Sequence, residues 1–349
     1  MSLFGKVLFL LLSNIFASNV WALTISAAGD TMLQSQGSYL PNNYLDEVST
    51  YFNSTDISFL NYEGTICQTK EVSWKCKKGK TCYAFRAEPK VADMLAQSGV
   101  TIASVANNHI YDYGEQCANK TVEHLEQVGI RAVGLRPKNN SSDMSSTRTL
   151  TVNGLKVGFA AFHFSNGWGR LISILEYERA QALVRQLDKE VDIIIVSFHG
   201  GAEGKDALNV PFEMEARGRE KRGNLRQFSQ SVVDAGADLV LGHGPHVPRG
   251  MEIYKNKLIA YSLSNFATPY GFNLRQPMNL GFILQVELDN FTGDLKGGEI
   301  IPTIQAKRPS IFLKVDEKRK VIPVLQNLSI EDFSSPLQIL DSGELLQTR

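Results

Sequence analysis

The sequence predicts an α/β fold in which helices flank a buried sheet. Stretches with apolar residues at helical spacing alternate with short, continuous runs of β-branched and other apolar residues. Glycine follows several of the predicted helices, and an apolar run comes directly after it. Strands without polar alternation are usually buried on both faces. We therefore expect helices to cover the sheet.

The composition excludes several classes of protein. The chain has 349 residues, with 36 Lys and Arg against 36 Asp and Glu, and 43% of the residues are hydrophobic. These values are ordinary for a globular protein and exclude a disordered or fibrous chain. Because phosphate-backbone binding needs an excess of basic residues, a neutral chain gives no support for a nucleic-acid partner.

The N-terminal segment, residues 1–22, predicts a cleaved signal peptide. It has one basic residue, Lys6, an apolar run over 7–16, and the ending Val20-Trp21-Ala22. The alternative is an uncleaved membrane anchor, but a spanning helix needs about 20 apolar residues. We therefore expect an exported protein, periplasmic or secreted, that begins near Leu23.

The cysteines are consistent with export. The chain has four cysteines, an even number, and no paired C-x-x-C spacing that would favour a zinc site. In an oxidising compartment disulfides persist. We expect two disulfides among Cys67, Cys76, Cys82 and Cys117, and all three pairings remain open.

The elements follow one another in an alternating order. Helices are predicted over about 88–99, 116–128, 176–190 and 224–235, and the strands that follow them lie at 100–105, 130–133, 191–198 and 237–241. From about residue 279 the pattern becomes β-rich, with predicted strands at 280–288, 295–304, 310–315 and 320–325. We expect one domain over 23–326, completed by 279–326, and a C-terminal tail over 327–349. The alternative is that the β-rich part forms a small separate domain.

Five apolar runs end in side chains that can bind a metal. These side chains are Asp30, Glu63, Asn108 with His109, His199, and His243 with His246. Ligands bind beyond the carboxyl ends of the strands in open α/β sheets, so these ends can meet in one place. Each residue alone also fits a cap, a turn or a core histidine, and we read His124 and His163 as structural.

The types of ligand indicate which metals would bind. Carboxylate, amide and imidazole donors without a thiolate suit Mn²⁺, Fe²⁺ or Zn²⁺ better than a purely hard cation. The candidates exceed the needs of one tetrahedral ion. We therefore expect two divalent metal ions that share a bridging carboxylate.

The motifs resemble one known family. They are Gly29-Asp30, Asn61-Tyr62-Glu63, Asn107-Asn108-His109 with Asp112, His199-Gly200-Gly201-Ala202-Glu203, Gly242-His243-Gly244-Pro245-His246 and Ser264-Asn265-Phe266. In this order they resemble the capsule-synthesis CapA family, which is linked to poly-γ-glutamate capsules and is similar to calcineurin-like metallophosphoesterases. The resemblance implies a four-layer α/β/β/α sandwich with a dinuclear metal site.

The resemblance also implies a role for each site residue. Asp30, Glu63, Asn108, His199, His243 and His246 would bind the metals, with Glu63 as the bridge. His109 would protonate the leaving group, and Asp112 would orient its imidazole. We add Glu203, Arg249 and Asn265 as candidate substrate-binding residues.

Three departures from the phosphoesterase pattern bear on activity. Asp30 is followed by Thr31-Met32 where phosphoesterases usually have Asp-x-His, the bridging residue is Glu63 rather than Asp, and the last motif is His-x-x-His. Three functions therefore remain open: a metal-dependent hydrolase of a phosphoester or of a cell-surface ester or amide, a non-catalytic component that binds or exports an anionic polymer beside other capsule-synthesis proteins at the membrane, and an intact fold with an inactive site.

Overall fold

The computed structural model describes residues 22–33, 40–68, 76, 83–166, 169–270, 274–306 and 311–347. Apart from Ala22, the predicted signal peptide lies outside these residues. The helices of the described part are α1 Asp46–Asn53, α2 Lys90–Gln97, α3 Gly114–Gln127, α4 Tyr177–Leu187, α5 Leu225–Val233 and α6 Val321–Asp332, with a short 3-10 helix at Asp143–Ser146.

The strands of the described part are β1 Ala22–Thr31, β2 Ile57–Tyr62, β3 Thr65–Ile66, β4 Arg86–Ala87, β5 Ile102–Ser104, β6 Arg131–Val133, β7 Arg148–Val152, β8 Leu155–His163, β9 Ile193–His199, β10 Glu215–Arg217, β11 Glu220–Gly223, β12 Leu239–His243, β13 Met251–Tyr254, β14 Lys257–Ala260, β15 Asn265–Ala267, β16 Leu280–Asp289, β17 Leu295–Ala306, β18 Phe312–Val315, β19 Leu337–Ile339 and β20 Glu344–Gln347.

Two large sheets contain most of these strands. One has ten strands in the order β19-β20-β17-β16-β1-β2-β5-β6, with β15 beside β1 and β18 beside β17. Its strands β1, β2, β5 and β6 run parallel. The other has six strands in the order β13-β14-β12-β9-β8-β7, and β8, β9, β12 and β14 run parallel.

The six-stranded sheet lies between two hydrophobic cores, and successive side chains of its strand β9 point alternately into one and the other. In β9, Ile193 and Ile195 join the core that contains residues of the ten-stranded sheet, whereas Ile194 and Val196 pack with the apolar faces of α4 and α5. Because side chains alternate between the faces of a strand, every second residue of β9 faces the other sheet. His199 continues the series of Ile193 and Ile195. The chain therefore has the predicted α/β fold class, and the four-layer count stays a prediction.

The helix predictions are confirmed with small shifts of their ends. The helices α2, α3, α4 and α5 lie within or within two residues of the four predicted segments. The side chain of Asn224 accepts a hydrogen bond from the backbone N–H of Gln227 at the start of α5, as an N-cap residue does. In contrast, α1 was not predicted.

One predicted strand is wrong, and the C-terminal residues form regular structure. Residues 320–325, expected as a strand, begin helix α6, whose buried residues recur at helical spacing: Val321, Ile322, Leu325, Leu328 and Ser329. A short apolar run does not distinguish a strand from a buried helix. Pro323 lies in the first turn, where a helix needs no N–H donor. Beyond α6, β19 and β20 lie at the edge of the ten-stranded sheet, within the segment expected as a tail.

The described residues form six α-helices and one short 3-10 helix. None of them combines the length and the apolar character that crossing a membrane requires.

Candidate metal centre

The ends of four strands bring the candidate ligands together. Asp30 lies near the end of β1 and Glu63 follows β2, and these two strands are neighbours in the ten-stranded sheet. His199 ends β9 and His243 ends β12, and the two residues lie in register in the six-stranded sheet. Because both sheets contribute to one core, the two pairs of strand ends face each other.

The centre is formed by Asp30, Glu63 and His199. One ligand atom from each of the three lies within 4.8 Å of the others. His199 Nε2 is 3.5 Å from Oε1 of Glu63. All three side chains are buried. Since a buried charge needs a partner, this cluster of two carboxylates and an imidazole in the interior could hold a metal ion.

Two further histidines complete the cluster. His246 places Nδ1 2.9 Å from Oδ2 of Asp30 and Nε2 3.7 Å from Oε1 of Glu63. His243 Nδ1 lies 3.6 Å from Oδ1 of Asp30. The sequence prediction that these strand ends converge agrees with the structure.

Several buried polar atoms of the cluster have no hydrogen-bond partner in the described part of the chain, and these atoms show whether the residues fit a metal ion. Both carboxylate oxygens of Glu63, Nε2 of His199 and both ring nitrogens of His243 are buried and form no hydrogen bond within the described residues. Such groups are expensive to bury without partners. They are the donor types that Mn²⁺, Fe²⁺ and Zn²⁺ accept, so the residues fit a metal centre.

Burial and mutual charge shift the pKa values of the cluster. Burial raises the pKa of Asp30, but the nearby imidazoles of His243 and His246 outweigh this effect and hold the pKa well below the usual range. Burial raises the pKa of Glu63 well above its usual value and lowers that of His199. Burial also lowers the pKa of His246, but the charge of Glu63 and the hydrogen bond to Asp30 raise it to about 9. The shifts run in opposite directions within a single cluster, which is typical of functional sites.

Two asparagines, to which the sequence analysis gave no role, hold the ligands in place. The amide of Asn61 donates to Oδ1 of Asp30 at 2.8 Å and lies 3.3 Å from Nδ1 of His199. Asn107 in turn donates to Oδ1 of Asn61 at 3.1 Å and to the backbone oxygen of Tyr62 at 2.8 Å. Their position at strand ends, inside the motifs, is the one signal in the sequence that could have identified them.

His109 and Asp112 form a pair beside the cluster. Nδ1 of His109 lies 2.7 Å from Oδ2 of Asp112, while its Nε2 lies 3.8 Å from Oε1 of Glu63. Oδ2 of Asp112 also accepts the backbone N–H of Phe85 at 2.7 Å. The Phe85 ring packs edge-on against His109, with the centroids 4.5 Å apart. The imidazole of His109 is therefore held with Nδ1 against the carboxylate of Asp112 and Nε2 on the side of Glu63.

Two tight backbone arrangements support this packing. A Cβ on Gly29 would overlap the backbone oxygens of Leu263 and Ser264, so glycine allows β1 to approach that segment. Gly244 and His246 both have positive φ, 107° and 60°. This conformation costs little for glycine but is strained for histidine, and it turns the His246 ring toward Asp30.

The other predicted site residues have mixed surroundings. Asn108 is half-buried between Asn107 and His109. Oδ1 of Asn265 lies 3.1 Å from Nδ1 of His246. Glu203 forms ion pairs with Arg217 at 2.9 Å and Arg222 at 2.6 Å. Their assigned roles stay predictions.

Arg249 is engaged within the protein. Its buried guanidinium forms a two-pronged pair with Glu215, at 2.9 and 2.7 Å, and donates to the backbone oxygens of Ala202 and Ala207. These contacts fasten the segment that follows His199 to the segment that follows His246. In the structure Arg249 therefore binds two segments of the protein to each other. Its contact with a substrate stays a prediction.

Cys67 and Cys117 lie within five residues of Glu63 and Asp112 along the chain. Cys67 and Cys117 form a disulfide with Cα atoms 5.5 Å apart. Cys76 is also disulfide-bonded, and Cys82 lies outside the described residues. The bond between Cys67 and Cys117 joins the segment after Glu63 to α3, the helix that follows Asp112. Oxidation of all four cysteines stays a prediction.

The chain is similar to capsule biosynthesis proteins. It is 25% identical over 317 residues to the capsule biosynthesis protein CapA of Bacillus anthracis, covering 86% of this chain and 72% of that protein. It is 24% identical over 265 residues to the PGA biosynthesis protein CapA of Bacillus subtilis, covering 72% of this chain and 64% of that protein.

The fold is shared with a solved phosphatase structure. The structure of a phosphatase from Mycoplasma pneumoniae superimposes with a TM-score of 0.50 at 12% identity, over 87% of this chain and 99% of that one. This likeness shows the fold alone. The family model of the bacterial capsule synthesis protein PGA_cap matches residues 24–270, and the chain therefore belongs to the PGA_cap family.

Proposed function

We propose that this protein is an exported, metal-dependent hydrolase that acts in the metabolism of capsular poly-γ-glutamate or a related cell-surface polymer. The observation that carries the proposal is the buried cluster of Asp30, Glu63 and His199, with the His109–Asp112 pair beside it. Family membership supports the capsule context. The N-terminal pattern supports export to the periplasm or the medium.

The metal-binding side chains are assigned as follows. Asp30, Glu63, Asn108, His199, His243 and His246 would hold two divalent ions, Mn, Fe or Zn. Bound metals would supply Lewis-acid chemistry that polarises the scissile bond and neutralises developing negative charge. Asn61 and Asn107 keep the ligands oriented through their hydrogen bonds, and such outer contacts typically matter for affinity and activity.

His109 is the residue that would transfer a proton during the reaction. Asp112 accepts a hydrogen bond from Nδ1, which leaves Nε2 to carry the mobile proton toward the centre. In this position His109 acts as a general acid that protonates the leaving group. Such a contribution is typically worth about 10²–10⁴-fold in rate.

Two buried arginines, Arg222 and Arg249, are paired with carboxylates within the protein. Arg222 pairs with Glu203 and Glu220, and Arg249 pairs with Glu215. Arg222 lies in strand β11, which pairs antiparallel with β10. The geometry therefore supports hydrolysis better than retention of polymer.

Hydrolysis assays on metal-loaded protein test the proposal. Wild type should hydrolyse a chromogenic phosphodiester or release γ-glutamyl fragments from polymer when Mn²⁺ is added. Glu63→Gln should abolish this activity, whereas Glu123→Gln, at an exposed position on α3, should leave it unchanged. If metal-loaded wild type cleaves neither substrate but sediments with the polymer, the non-catalytic binding function replaces the proposal.

A further inference from the structure

Phe85 directly precedes strand β4, which pairs in parallel with β3. Its carbonyl oxygen accepts two hydrogen bonds from Thr65, one from the backbone N–H at 3.1 Å and one from Oγ1 at 2.9 Å. The backbone N–H of Cys67 donates to the carbonyl oxygen of Ala87 at 3.1 Å, which continues the pairing. The carbonyl side of Phe85 is therefore fixed to the segment that follows the candidate ligand Glu63.

The other side of Phe85 contacts the pair of His109 and Asp112. Its backbone N–H donates to Oδ2 of Asp112 at 2.7 Å, and the same oxygen lies 2.7 Å from Nδ1 of His109. Its buried ring packs against the imidazole, with the centroids 4.5 Å and the planes 62° apart. Hydrogen bonds to a carboxylate are among the stronger ones in proteins. One residue thus contacts both members of the pair.

A covalent bond and a pair of hydrogen bonds attach β3 to helix α3. The disulfide joins Cys67, the residue after β3, to Cys117 near the start of α3. Oγ1 of Thr121 accepts the backbone N–H of Ile66 at 2.8 Å and donates to the carbonyl oxygen of Cys117 at 2.8 Å. Since α3 begins two residues after Asp112, the disulfide ties β3 to the helix that follows this carboxylate.

We propose that Phe85 is a positioning residue for His109, and that the disulfide between Cys67 and Cys117 keeps it in place. This inference rests on the proposed function. A general acid contributes to the rate only when its proton lies within reach of the leaving group, so an imidazole that is held loosely loses rate. Phe85 acts through His109 and not through contact with the metal or the substrate.

Rates of metal-loaded variants on a series of aryl phosphodiesters test the positioning. Phe85→Leu keeps the backbone N–H and much of the apolar volume but removes the ring, so kcat should fall about 10- to 100-fold with KM and metal content unchanged. The loss should grow as the leaving group becomes poorer. In a His109→Ala background the same substitution should cost almost nothing further, because the two residues act as a unit.

A control variant and a disulfide variant complete the kinetic test. Phe228 is a buried phenylalanine of α5 in the other hydrophobic core, and Phe228→Leu should lower the stability but keep kcat. Replacing Cys67 and Cys117 together by Ser should reproduce the loss seen in Phe85→Leu. A disulfide variant that unfolds, or that keeps the kcat of wild type, overturns the role of the bond. Equal losses from Phe85→Leu with and without His109 overturn the role of Phe85.

A second measurement does not depend on hydrolysis. In protein loaded with Zn²⁺, which is diamagnetic, proton NMR should show the N–H that His109 donates to Asp112 as a resonance that His109→Ala lacks. Its exchange with water should be faster in Phe85→Leu than in wild type and unchanged in Phe228→Leu. A missing resonance in wild type, or equal exchange in Phe85→Leu, overturns the positioning. If exchange depends on Phe85 but metal-loaded wild type hydrolyses nothing, the positioning stands and the hydrolase function fails.

Discussion

Nδ1 of His109 lies 2.7 Å from Oδ2 of Asp112, at the edge of the candidate metal centre. A carboxylate in this position fixes the tautomer of the imidazole and directs Nε2 away from itself. The ring is placed beside the cluster, 3.8 Å from Glu63.

The first prediction separates this pair from the metal ligands. His109→Ala should keep its metal but lower the rate by about 10²–10⁴-fold, because it removes a general acid. The loss should be greatest for substrates with poor leaving groups. Rates on a series of aryl phosphodiesters measure this dependence. An equal loss on all substrates, or loss of metal, would contradict the role of His109.

The second prediction concerns the buried pair of Arg249 and Glu215. Arg249→Met leaves the buried Glu215 carboxylate without its ion-pair partner, so the free energy of unfolding should fall by about 3–5 kcal/mol. Denaturant titration measures it. Lys255 pairs with Asp234 at an exposed position, and Lys255→Met should leave stability nearly unchanged. Similar values for the two variants would show that Arg249 does not clamp the segments.

The third prediction concerns the disulfide between Cys67 and Cys117. It closes a loop with a sequence separation of 50 residues, and replacing both cysteines by Ala should lower the stability by about 2–4 kcal/mol. Thiol titration of freshly purified, denatured wild type should find almost no free thiol. Four reactive thiols would reject the oxidised state.

The fourth prediction concerns export. The pattern of residues 1–22 predicts that the mature chain begins near Leu23. N-terminal sequencing of protein from the periplasm or medium measures the start. Exported material that still begins at Met1 would exclude cleavage.

The sequence predicts the strand-end ligands but not the contacts that hold them. His199 and His243 each lie at the end of a largely apolar run, so their places at strand ends are visible in the sequence. The hydrogen bonds from Asn107 to Asn61 and from Asn61 to Asp30 connect three different strand ends. Such contacts depend on strand order and register, which local patterns do not encode.

His163 illustrates the same limit. Its strand, β8, is visible as an apolar run, but its neighbour β9 begins thirty residues after β8 ends. The register that aligns His163 with His199 exists only in the assembled sheet. The wrong strand prediction at residues 320–325, where α6 begins, has a different cause. This short apolar run shows neither the period of a helix nor that of a strand clearly.

Metal analysis of purified protein, prepared without a chelator, tests the central claim most directly. Wild type should contain about two equivalents of Mn, Fe or Zn per chain. His199→Ala should contain clearly less while its circular dichroism spectrum stays that of a folded α/β protein. Wild type that binds no divalent metal, or a His199→Ala variant with unchanged metal content, would contradict the account.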